Sequence, residues 1–145
     1  MGELQASNLP EIPGYVLREV GIASTMDGSV EPSIIGYPEG VVPDAHHGET
    51  LPLLVGIHSW STTRFSSTEN QAAVAAEHGW LSLFPEFRGP NLPSNPRVTQ
   101  AGASLPAQHD IVDAVEYMQA HFPVDEHRIY IQGGSGGGHM SLQMA

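Results

Sequence analysis

Leu51 to His58, LPLLVGIH, is apolar almost without interruption, and this run constrains the fold more than any other feature of the chain. A strand with one wet face alternates polar and apolar residues, whereas one that does not alternate is covered on both faces. Trp80 to Phe84 and Arg128 to Gln132 follow as two more short runs, expected as further buried strands. Helical stretches lie between them. Ser66-Ser67-Thr68-Glu69 has the S-x-x-E form of a capping box ahead of an alanine-rich segment, which Gly79 is placed to end as a C′ glycine. Ile111, Val115, Met118 and Phe122 recur at helical spacing before Pro123. Buried strands separated by helices imply a parallel sheet with right-handed crossovers. Upstream, Tyr15 to Thr25 and Val30 to Tyr37 are β-rich and joined through Asp27-Gly28, a hairpin signal. Pro38 to Thr50 and Arg88 to Pro106 read as loops, the second long enough to carry function.

The rest of the composition excludes several classes. The chain has 145 residues, room for one ordinary domain. Sixteen acids face five arginines and no lysine, for a net charge of −11, which argues against nucleic acid or an anionic membrane as partner. No apolar run approaches the roughly 18 residues a membrane span needs. Met1 to Gly14 lacks the basic and apolar regions of a signal peptide, so a cytoplasmic location is expected. Without cysteine there is no disulfide and no thiolate metal site. His46-His47 matches no metal spacing, and His109 with Asp113, at i and i+4, has no third ligand in reach by sequence. No metal and no cofactor are expected.

Gly133-Gly134-Ser135-Gly136-Gly137 matches G-x-S-x-G and stands directly between a β-branched strand and a helical segment. Such a strand–turn–helix elbow puts the serine in a strained conformation with its hydroxyl exposed, and flanking side chains would clash. The helix N-terminus favours developing negative charge, and the N–H of Gly136 can point at an oxyanion. A phosphate-binding P-loop would need a lysine. A dinucleotide fingerprint would need a third glycine where His139 or Ser141 stands.

Asp125 to Gly138, DEHRIYIQGGSGGG, resembles the D-x-x-R-I-x-x-x-G-x-S-x-G-G stretch of α/β-hydrolases, above all the prolyl oligopeptidase (S9) and dienelactone hydrolase group. Gly56-Ile57-His58-Ser59-Trp60 stands where that group carries its H-G-x-x oxyanion segment, and Phe87-Arg88-Gly89-Pro90-Asn91 where it carries an R-G loop. The resemblance runs from about Tyr15 to the last residue. It implies a three-layer αβα fold, a mostly parallel sheet with an N-terminal antiparallel hairpin, truncated after the nucleophile elbow. Residues 1–14 would be an N-terminal extension and 15–145 the first part of a single domain. Ser135 would be the nucleophile, Gly136 N–H one oxyanion donor, and the backbone at Ser59 or Trp60 the other. Gly133, Gly134 and Gly137 would be the elbow glycines.

Serine replaces the glycine that usually follows the histidine, and the tyrosine donor of prolyl oligopeptidases is missing. In the family the histidine at His58 is structural. His139 is expected to pack beneath the elbow rather than act as base. The triad order is serine, then acid, then histidine. Only ten residues follow Ser135, with one histidine and no acid, so the isolated chain is expected to be inactive. The resemblance therefore implies a serine-type peptidase acting through an acyl-serine on a small peptide or ester. A carboxylesterase of the dienelactone hydrolase type, or a non-catalytic α/β module, is the alternative. The strand ending at Gln132 would leave an open sheet edge, through which self-association is expected.

Overall fold

The computed structural model describes residues 9–45 and 48–145. The first eight residues of the expected extension and His46-His47 lie outside the described residues. The strands are Tyr15–Ala23 (β1), Val30–Pro38 (β2), Leu51–Ile57 (β3), Leu81–Pro85 (β4) and Val124–Gly133 (β5). The helices are Thr68–His78 (α1), Leu105–His121 (α2) and Gly136–Met144 (α3), with a 3-10 turn at Val98–Gln100.

Five strands form one sheet in the order β1-β2-β4-β3-β5. β1 pairs antiparallel with β2, and β2 antiparallel with β4. β3 runs parallel to both β4 and β5. The hairpin followed by helix-separated strands is as the sequence implied. Strand periodicity then sorts the core into two layers. Leu53, Val55, Ile57, Leu81 and Leu83 pack with Ile111, Ala114, Met118 of α2 and Met140 of α3. Residues of opposite parity, Ile34 and Phe84, pack with Ala72 and Ala75 of α1. Both faces are covered, which is why β3 reads as a continuous apolar run. Gly56 has no side chain because a Cβ there would stand 2.6 Å from the Phe84 ring. Among the described residues no helix is long and apolar enough to cross a membrane.

Four local expectations need correction. No capping box forms at Ser66 to Glu69: the helix begins after Ser67, whose side chain caps nothing. Ser66 is spent instead on Thr63 O and Thr62. Arg128 to Gln132 is not a buried strand. β5 is the last strand of the sheet, flanked only by β3, so Ile129 and Ile131 are half-buried and Tyr130 is 46% exposed, stacked on Trp80. The hairpin turn is not a tight Asp-Gly pair, since six residues separate Ala23 from Val30. Within them Gly28, at φ 73°, donates to Ser24 O, while Asp27 is drawn off to Arg88. The helix after the long loop begins at Leu105, with Pro106 in its first turn, where a missing N–H costs nothing.

Candidate active site

β5 ends at Gly133 and α3 begins at Gly136, so the chain reverses within two residues. Ser135 takes φ 51° and ψ −119°, a conformation that costs an L-residue roughly 1–3 kcal/mol. Gly137 N–H to Gly134 O at 2.9 Å and His139 N–H to Ser135 O at 3.0 Å hold it there. Its side chain is exposed and caps no backbone group. The flanking glycines differ in what they permit. A Cβ on Gly133 would stand 2.5 Å from the Gly137 carbonyl carbon, and one on Gly137 would stand 2.3 Å from Ile57 O. Gly134 has open space around it, so the expectation that it too is sterically required does not hold.

The segment after β3 faces this elbow. A Cβ on Gly136 would be 2.5 Å from Trp60 Cδ1 and 2.8 Å from Trp60 N, so the start of α3 lies directly on Trp60. The Ser59 hydroxyl donates to Gly134 O at 3.0 Å, a strut that the family's usual glycine could not supply. Ser59 O faces His58 Nδ1 at 2.7 Å and accepts from Thr62 Oγ1 at 3.1 Å. Trp60 O accepts from Asn91 N–H at 2.5 Å. In a trans peptide the N–H points opposite the preceding carbonyl, so Trp60 N–H points away from His58. Neither Trp60 N–H nor Gly136 N–H finds a backbone acceptor among the described residues.

His58 itself is buried, stacked on Phe87 at 4.2 Å, with Nε2 2.8 Å from Glu86 O. Behind it, Arg64 joins two buried carboxylates that are distant in sequence, Glu19 at 2.5 Å and Glu86. A second cluster anchors the loop after β4. Phe87 and Arg88 both have positive φ, 39° and 67°. The Arg88 guanidinium, with no exposed surface, forks onto Asp110 at 2.8 Å and Asp27 at 2.6 Å. Arg88 beside it holds the Asp27 carboxyl well below the usual carboxylate range, with help from Ser29. Burial pushes Asp110 up even though Arg88 opposes the shift. Asp113, the other half of the i,i+4 pair with His109, is occupied by Thr25 N and Oγ1. Sequence reasoning missed both clusters. Only the R-G dipeptide after β4 hinted at the second.

The structure thus brings Ser135, Gly136 and Trp60 together, with Ser59 bracing them. It does not bring an imidazole to the serine. His139 is exposed and meets the Trp60 ring edge-on at 5.9 Å instead of packing beneath the elbow. Among the described residues, no histidine hydrogen-bonds the Ser135 hydroxyl.

A hairpin leading into a parallel sheet, with a serine at a strained strand–helix turn, defines the α/β-hydrolase fold. The model of the prolyl oligopeptidase family matches residues 66–145, just over half the chain, and the chain belongs to that family. Similar solved structures include an acetyl xylan esterase from Paenibacillus sp. R4, 24% identical, covering 99% of this chain and 48% of that one at a TM-score of 0.71. A bacterial heroin esterase is 24% identical over 91% of this chain and 39% of its own, at 0.64. A prolyl endopeptidase is 21% identical over 94% of this chain and 20% of its own, at 0.68. At such identities the likeness is one of fold. The chain spans less than half the length of each of these structures. No curated protein sequence matches it significantly.

Proposed function

We propose that this chain carries the nucleophile and the oxyanion donors of a serine hydrolase. The observation that carries the reading is the strained Ser135 at the elbow, beside the N–H groups of Gly136 and Trp60, which find no acceptor among the described residues. Ser135 Oγ would attack an acyl carbonyl, losing its proton to a base and forming a C–O bond. The carbonyl oxygen takes the electron pair and is held by the two N–H groups. Collapse expels the amine or alcohol, and water then releases the acid from the acyl-serine. Of the two candidates for the second donor, Trp60 is favoured over Ser59. His58 O lies 2.9 Å from where a Cβ on Gly137 would stand, which turns Ser59 N–H away from the elbow.

Family membership favours a peptide substrate, and the expected activity is that of a serine-type peptidase. An esterase is the second reading, supported by the resemblance of the fold to the acetyl xylan and heroin esterases. A fluorophosphonate probe should label the full-length gene product, and Ser135→Ala should abolish labelling. Undiminished labelling in that variant would remove Ser135 from the mechanism. Comparing kcat/KM on a peptide anilide and a p-nitrophenyl ester separates the two substrate classes. The isolated 145 residues are expected to hydrolyse p-nitrophenyl acetate no faster than background, because among the described residues no base reaches Ser135.

A further inference from the structure

We propose that the indole of Trp60 is a wall of the substrate site and selects a flat apolar group attached to the reacting carbonyl. The inference rests on Ser135 being the nucleophile and adds a specificity residue to that reading. Trp60 is 43% exposed although everything around it is pinned. The carbonyls of Ser59 and Trp60 are both engaged, so the backbone that carries the ring is fixed. The ring lies across Gly136, with Cδ1 and Cγ 2.5 and 2.6 Å from where a Cβ would stand, and only glycine fits beneath it. His139 meets the ring edge-on, and Nε1 lies 3.8 Å from the Cβ position of Gly102, in the long loop before α2. A large apolar surface is therefore fixed one residue from Ser135, between the elbow and that loop, and is left half uncovered.

An immobilised, half-exposed tryptophan has apolar area still to bury, and it loses no rotamer freedom when a ligand covers it. Its face offers dispersion and a ring quadrupole, which flat groups match best, at offset or edge-on geometry. Packing uses only the part of the indole that lies over Gly136 and against His139, and the rest of the ring is left uncovered beside the serine.

The test separates the side chain from the backbone, because leucine, methionine and phenylalanine at position 60 all keep the N–H proposed as oxyanion donor. In the full-length gene product, kcat/KM is measured for S-ethyl thioacetate, S-phenyl thioacetate and S-ethyl thiobenzoate, all followed through the released thiol. Trp60→Leu should lower the ratio of at least one ring-bearing ester to the ring-free ester about tenfold, the worth of one aromatic contact. Trp60→Phe should restore most of it. Trp60→Met serves in place of Leu should the latter not fold by circular dichroism. Both ratios within twofold of wild type in a folded, active Leu or Met variant would overturn the proposal while leaving Ser135 in place. Turnover surviving in Ser135→Ala would instead remove the reading on which it stands.

Discussion

At the residue scale the elbow holds four glycines, and only three of them have a steric reason for being glycine. Gly133 and Gly137 face backbone atoms that cannot move aside, Gly136 faces the Trp60 ring, and Gly134 faces nothing within 4 Å. The motif G-x-S-x-G names the two outer positions and cannot say why the inner ones differ, since the reason lies in Ile57, His58 and Trp60, some eighty residues upstream. Gly137→Ala is accordingly expected to lose about 1–3 kcal/mol or more by overpacking, while Gly134→Ala stays within about 0.5 kcal/mol of wild type. Urea midpoints of the two variants check this, and equal losses would show that the elbow is sensitive to backbone freedom instead of to contact. The Ser135 hydroxyl and the Trp60 segment were legible as a motif and a resemblance. The preference proposed for Trp60 over Ser59 was not, because peptide orientation depends on which carbonyl His58 captures.

At the element scale, helix starts and the buried ion pairs show where local signals stop being sufficient. Two serines look alike as caps, yet only one acts. Ser104, with extended backbone at ψ 157°, accepts from Ala107 N–H, whereas Ser67 sits at ψ −6°, where its side chain cannot reach back. Ser104→Ala should cost about 1 kcal/mol and Ser67→Ala almost nothing, measured by thermal unfolding. Arg88 ties the hairpin turn, through Asp27, to α2, through Asp110. Removing one member of a buried cluster typically costs about 3–5 kcal/mol, so Arg88→Leu is expected to be strongly destabilised at neutral pH.

The pH dependence of that loss follows from the two acids. Asp27 titrates low in the wild type because of Arg88, so its contribution is present above the ordinary carboxylate range and is lost as the pH falls. Asp110 is already raised by burial. Without Arg88 it rises further, so the variant recovers stability as this carboxyl takes up a proton on acidification. The gap in urea midpoint between wild type and Arg88→Leu should therefore narrow from pH 7 toward pH 4. A constant gap would mean that Arg88 acts through packing alone.

At the scale of the whole molecule, the sheet ends on β5, whose outer edge no other strand among the described residues covers. A strand edge without a neighbour presents unpaired N–H and C=O groups, and here Tyr130 adds exposed aromatic surface. We propose that the isolated chain self-associates along this edge. Sedimentation velocity should show a mass that rises with concentration, and Tyr130→Lys, which places a charge on the edge, should shift it toward monomer. A parent chain that stays monomeric at every concentration would sink the idea.

By itself the sequence determined the succession of elements, the two-sided burial of β3 and β4, the stop at Gly79 and the serine elbow. Each of these follows from hydrophobic period, turn chemistry or steric need within about ten residues, which is the range over which a chain's own covalent geometry acts. Tertiary structure alone decided how exposed β5 is, which serine caps, where Arg64, Arg88 and Arg97 find their acids and what covers Gly136. Arg64 and Arg88 meet carboxylates 45 and 61 residues away, and Ser59 meets the elbow 75 residues on. Such contacts depend on which faces the sheet and helices bring together. A histidine four residues from a serine can pair with a distant tryptophan, and an apolar run can end half-exposed at an edge, because burial and hydrogen bonding are settled by neighbours in space.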